Sequence, residues 1–115
     1  MKHTMRLHAQ PFEMIKNGEK TIELRLYDEK RKSICIGDEI EFIHSLDDSK
    51  RLYCSVVNVH VFSSFQELYK KLPLLKCGYT SNDVAVASYT DMEKYYTVEQ
   101  QQAYGVVGIE LAIKR

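Results

Sequence analysis

Five separated stretches of this chain carry the pattern of β-strands, at 5–9, 21–27, 39–43, 52–62 and 105–113, and that repetition constrains the fold more than any other feature. Met5, Leu7 and Ala9 alternate with Arg6 and His8; Ile22, Leu24 and Leu26 alternate with Thr21, Glu23, Arg25 and Tyr27. Successive side chains of a strand point to opposite faces, so each such stretch turns one face to a core and leaves the other polar. The turn Ile36-Gly37-Asp38 predicts a strand beginning near Asp38, paired as a hairpin with the valine-rich stretch 52–62 across the polar residues 44–50. The largely apolar run 105–113 suits a strand buried on both sides.

Helical spacing is confined to short intervals. Pro11 suits a helix start, Phe12, Met14 and Ile15 supply an apolar side, and Gly18 suits a left-handed cap. Ser64-x-x-Glu67 is a capping box opening a helix whose inner face carries Phe65, Leu68, Tyr69 and Leu72, and Pro73 ends it. Thr90-x-x-Glu93 and Thr97-x-x-Gln100 read as two further boxes, and Asn82 as the cap of a short turn, so 74–104 is expected to form short helices and loops. The class is α+β, and 115 residues suffice for one hydrophobic core and one domain, 1–115.

Charge and composition exclude several function classes. Sixteen basic residues balance sixteen acidic ones, which argues against a long track for duplex nucleic acid. The cations are nonetheless clustered, with Lys16, Lys20, Arg25, Lys30, Arg31 and Lys32 all falling between 16 and 32. No stretch is apolar enough to span a bilayer and the N-terminal residues carry no apolar signal region, so the expected address is the cytosol and no membrane partner is expected. Cys35, Cys54 and Cys77 lack any Cys-x-x-Cys pair, and His3, His8, His44 and His60 lack ligand-like spacing; no metal and no cofactor are expected. No phosphate-cradling glycine loop, nucleophile elbow or Cys–His arrangement is present in the sequence.

The most informative stretch is Asn17-Gly18-Glu19-Lys20-Thr21-Ile22-Glu23-Leu24-Arg25, in which a glycine-terminated helix delivers a lysine to a strand carrying Glu23 and Arg25 on one face. Residues two apart on a strand are roughly 6.5 to 7 Å apart at the backbone, so the two charges can pair or share a ligand. The arginine fork suits phosphate or a base edge, the carboxylate suits an exocyclic amine or a ribose hydroxyl, and Thr21 adds a hydroxyl. On spacing alone, an exposed strand face with an ordinary Glu–Arg pair is the simpler reading.

Gly18-x-Lys20-x-x-Glu23-x-Arg25, set between a short helix and a strand near the N-terminus, resembles the G-x-K-x-x-E-x-R hallmark of the ASCH domain. Tyr27 to Arg31, Ile36 to Phe42 and Tyr104 to Ile109 also resemble small bacterial members of that family. The resemblance implies a PUA-like mixed β-barrel with a few short flanking helices and a cleft beside the motif. It implies RNA, a nucleotide or a nucleoside as partner, in RNA metabolism or translation-linked regulation. The ligand-binding residues expected from motif and neighbourhood are Lys20, Thr21, Glu23, Arg25, Tyr27, Lys30 and Arg31, with Tyr27 as a stacking ring; His8, Tyr95 and Tyr96 are weaker candidates for the cleft.

A hydrolase reading, with a modified nucleoside or RNA as its substrate, stands beside this one. A related amidohydrolase that deacylates N4-acetylcytidine uses a lysine, a threonine and a glutamate; the lysine falls on Lys20, but the threonine position is Glu23 and the glutamate has no clear counterpart. If the chain is an enzyme, Lys20, Glu23 and Arg25 carry the chemistry, with Glu23 as base and a cation at the developing oxyanion. A third reading is a protein-interaction domain with an idle cleft. The alternation further predicts a closed barrel with Ile22, Leu24 and Leu26 in its core, and folding that depends little on Lys20, Glu23 and Arg25.

Overall fold

The computed structural model describes residues 1–114 of the chain. Five strands form one mixed sheet: β1 (Lys2–Leu7), β2 (Ile22–Leu26), β3 (Glu39–His44), β4 (Asp47–Phe62) and β5 (Val106–Ile113), in the spatial order β1-β3-β4-β5-β2. β1 runs parallel to β3, and the remaining pairs are antiparallel. Four helices flank the sheet: α1 (Ala9–Lys16), α2 (Glu29–Lys32), α3 (Phe65–Lys71) and α4 (Val98–Tyr104), with 3-10 turns at Leu74–Lys76, Val84–Val86 and Tyr89–Lys94. This is the mixed α+β, PUA-like architecture expected from the sequence.

The sheet curls, but no ladder closes it. β1 and β2 are the two edges of a five-stranded order, and a flat sheet would hold them about 19 Å apart at about 4.8 Å per strand. Yet Nη2 of Arg25 on β2 donates to the carbonyl oxygen of Arg6 on β1 at 2.8 Å. Lys30, on α2, likewise donates from Nζ to the Thr4 carbonyl at 2.8 Å. The closed barrel expected from the alternation is therefore a half-barrel whose seam is bridged by side chains. Part of the curl comes from β4, where the pairing register to β5 shifts between Val56 and Asn58, leaving Val57 extra and exposed; a bulge of this kind bends a strand and increases its twist.

Two cores result. The larger lies on the concave side and joins Met5, Leu7, Phe12, Ile15, Ile40, Phe42, Leu52, Cys54, Val107 and Ile109. The smaller lies on the other side, where Ile22, Leu24, Leu26 and Val106 meet Phe65 and Leu68 of α3 and Cys77. The apolar residues of β2 thus pack under α3 rather than inside the half-barrel. Gly108 stands opposite Leu24, and a Cβ there would sit 2.6 Å from Leu72 Cδ1 and 3.2 Å from Ile22 Cγ2, so a side chain at this point of β5 requires Leu72, the cap of α3, to shift off the sheet.

Element ends differ from the sequence expectation in instructive ways. α1 starts after His8, so Pro11 is its third residue, within the first turn where a helical N–H has no partner to lose. The β3–β4 connection is a two-residue turn at Ser45-Leu46, and 47–51 belongs to β4 despite its polarity because its side chains lie at the exposed end of the sheet. Thr97 and Gln100 form the expected capping box, and Ser64 accepts from the Glu67 amide. The box expected at Thr90 and Glu93 is instead made by Ser88 and Asp91, and the turn assigned to Asn82 is held by Thr80 and Asp83. Among the described residues no helix is long and apolar enough to cross a membrane.

Candidate functional site

β2 places Glu23 opposite Ile109 and Arg25 opposite Val107, both members of the concave core. The charged face of this strand therefore points into the half-barrel, at the seam where no further strand covers it. Glu23 is buried there between two cations: its Oε1 lies 2.6 Å from Lys20 Nζ, and its Oε2 accepts from Arg25 Nε at 2.7 Å. Side-chain exposures of 10% for Lys20, 6% for Glu23 and 15% for Arg25 rule out the exposed-pair reading, since surface pairs of that kind are solvated on most sides.

Burial alone pushes the Glu23 carboxyl upward, but Lys20 and then Arg25 outweigh it and hold the group below its ordinary range. Arg25 is likewise opposed by desolvation and raised by the Glu23 charge. Arg25 spends Nε on Glu23 and Nη2 on the Arg6 carbonyl; among the described residues no hydrogen bond uses its Nη1. One nitrogen of the fork thus remains for an incoming acceptor.

The three charges line a cleft of about 680 Å³, within the usual range for small-molecule sites. Arg6, His8, Pro11 and Met14 form its near side. The far wall is built from 69–96 and presents Tyr69, Gly78, Tyr79, Asp91, Lys94, Tyr95 and Tyr96. The two walls meet where Lys20 crosses Gly78: a Cβ on that residue, whose φ is +108°, would sit 3.4 Å from Lys20 Cδ. The far wall is fastened by a hydroxyl chain in which Tyr69 and Tyr79 lie 2.8 Å apart and Tyr79 donates to Asp91 Oδ2 at 2.6 Å. Desolvation and these contacts push the Tyr79 hydroxyl well above its ordinary range, and Tyr79 and the Ser88 amide hold Asp91 below its own. Tyr95 is exposed, with Lys94 Nζ 5.3 Å from its ring centre, whereas Tyr96 stacks on Phe65 at 6.1 Å.

Of the residues expected at the site, Lys20, Glu23 and Arg25 come together in the cleft, and His8, Tyr95 and Tyr96 line it. Thr21, Tyr27, Lys30 and Arg31 do not. Thr21 extends the β2 ladder, its N–H donating to the Lys76 carbonyl and its C=O accepting from the Leu111 amide. Tyr27 lies one residue past β2, yet its N–H still donates to the Gly105 carbonyl and its ring packs against the larger core on the side to which Arg25 points, outside the cleft lining. Lys30 bridges the seam, and Arg31 pairs with Asp28, the cap of α2. Sequence reasoning missed Tyr69, Tyr79 and Asp91. Only Asp91 had a usable signal, the Ser88-x-x-Asp91 capping pattern; tyrosine hydroxyls give no periodicity to read. No group of three potential metal ligands occurs among the described residues.

The family model of the ASCH domain matches residues 5–115. The structure is similar to the crystal structure of hypothetical protein PH0355, with a TM-score of 0.79 and 36% identity over 99% of this chain and 100% of that one. It is also similar to the solution NMR structure of protein PF0455 from Pyrococcus furiosus, with a TM-score of 0.72 and 34% identity over 98% and 97% of the two chains. A mutant of ZmASCH from Zymomonas mobilis shares the fold at a TM-score of 0.66 and 11% identity, over 95% of this chain and 66% of that one. No curated protein matches the chain.

Proposed function

The chain belongs to the ASCH domain family, and from that premise we propose that its cleft binds a nucleotide or a short single-stranded stretch of RNA. The observation that carries this reading is the pre-assembled Lys20–Glu23–Arg25 cluster, which aims the guanidinium while leaving Nη1 unused in a cleft of nucleotide-compatible size. A planar fork locked by a carboxylate loses little freedom when it meets phosphate or a base edge. Tyr95 offers an exposed ring on which a base can stack. Lys30 and Arg31 lie beyond the cleft, next to the seam, where a longer RNA reaches them.

The geometry supports binding over hydrolysis. A general base must take up a proton near working pH, whereas Glu23 is held anionic and both of its oxygens are engaged by cations. The test is titration of the protein with mononucleotides and short single-stranded RNAs at several salt concentrations. Binding is expected with a log–log salt slope near about −2, corresponding to two or three neutralised phosphates. Arg25→Lys, which keeps the charge but loses the fork, weakens it substantially. Absence of binding to every nucleotide and RNA overturns the reading, and release of acetate from N4-acetylcytidine by the wild-type chain favours the hydrolase instead.

A further inference from the structure

The far wall of the cleft has a hydrogen-bonding polarity that its geometry determines. Asp91 is a carboxylate, an acceptor only, so the short contact to its Oδ2 consumes the single proton of the Tyr79 hydroxyl. The 2.8 Å contact between the two tyrosines must then run from Tyr69 as donor to Tyr79 as acceptor. The Ser88 amide also donates to Oδ2, at 3.1 Å. Every proton in the chain is therefore directed toward Asp91. Left over from this chain of bonds are two acceptors, the Tyr69 oxygen with both lone pairs and Asp91 Oδ1, which no hydrogen bond engages among the described residues, with the Lys94 ammonium on the same wall near Asp91.

The opposite wall has the reverse polarity. Glu23, the carboxylate that the motif would have offered to an exocyclic amine, is buried and spent on its two cations, leaving Arg25 as a donor surface. The two walls adjoin, because Gly78, on which Lys20 rests, immediately precedes Tyr79. A ligand spanning the cleft thus fits best with an acceptor group at the Arg25 end and hydrogen-bond donors at the Tyr69 and Asp91 oxygens. We infer that Asp91 and Tyr69 select nucleotides whose base carries an amino group, cytidine and adenosine, over the keto analogues uridine and inosine. With the exocyclic group set between the Asp91 and Tyr69 oxygens, an amino group offers a donor to each, whereas the keto analogue offers only its neighbouring ring N–H and turns a carbonyl oxygen toward the other acceptor. This inference rests on the reading that the cleft takes a nucleotide.

The experiment is calorimetric titration of the full chain with CMP against UMP and AMP against IMP. The wild type is expected to prefer the amino partner of each pair by at least about tenfold, the scale of one well-placed base-edge contact. Asp91→Asn sharpens the test. Its amide oxygen must occupy the Oδ2 position, which receives both the Tyr79 hydroxyl and the Ser88 amide, so its NH₂ replaces Oδ1 and turns a donor to the ligand. The preference is expected to invert toward UMP and IMP. Arg25→Lys is expected to weaken all four ligands while leaving the amino-to-keto ratio unchanged.

Equal wild-type affinities for CMP and UMP, and for AMP and IMP, would overturn the inference and leave the nucleotide reading standing. Absence of binding by all four overturns the inference, and the cleft reading falls with it only if the short RNAs also fail to bind. A folded Asp91→Asn chain that keeps the wild-type preference removes Asp91 from the role. If that variant does not fold, the wild-type ratios decide the matter alone.

Discussion

The two walls of the cleft differ in what holds them. The β2 wall is a strand of a continuous sheet, its charges fixed by a ladder to β5 and by two ion pairs on one buried carboxylate. The 74–96 wall has no ladder; it is a succession of 3-10 turns held by the Ser88–Asp91 box, the Thr80–Asp83 contacts and the Tyr69–Tyr79–Asp91 chain. A sheet distributes a local fault over many backbone bonds, whereas turns held by single side chains open one at a time. The cleft thus combines a rigid cationic wall with one whose order depends on a few polar contacts.

The comparison breaks most sharply at Glu23. Removing it strands two cations in a buried setting, so Glu23→Ala should cost about 3–5 kcal/mol in urea unfolding, against the sequence-based expectation that folding depends little on this cluster. A cost below that of an ordinary surface pair would mean that solvent reaches the cluster freely. The same group sets a pH dependence. Its folded value lies below its ordinary 4.5, so the stability it contributes is present above about pH 4.5 and is lost as pH falls through the folded value. Glu23→Gln should remove its share of the acid titration, leaving the share that belongs to Asp38 and Glu41, each held at about 2.

Leu24 underlies the same wall from the other side, and Leu24→Ala should cost about 2–5 kcal/mol by lost burial and an unfilled space beneath α3. Tyr79→Phe tests the second wall. Losing a hydroxyl that donates to a carboxylate should cost about 1.5–3 kcal/mol. Amide exchange should quicken in 74–96 while the sheet stays protected; uniform quickening would show that the two walls unfold as one unit. The smallest effect is expected at Arg6, whose pairing with Asp48 is exposed on both sides. Arg6→Ala should change stability by at most about 1 kcal/mol, because its contribution to the seam is a backbone carbonyl that alanine retains.

Period-two alternation in local sequence determined the strands, because the pleat exposes it directly, and the spacing of Lys20, Glu23 and Arg25 determined which charges would share a site. Caps at Ser64 and Thr97 were legible for the same reason, being satisfied within four residues. Tertiary structure alone decided which side of β2 faced which core. Alternation is symmetric between two buried faces, so it could not reveal that Leu24 packs under α3 while Glu23 enters the half-barrel. Nor could it place Tyr79 and Asp91 across from Arg25, or show Arg25 joining two strands nineteen residues apart in sequence. Those contacts arise from curling a five-stranded sheet until its edges meet, and no local pattern records a distance set by four intervening strand pairings.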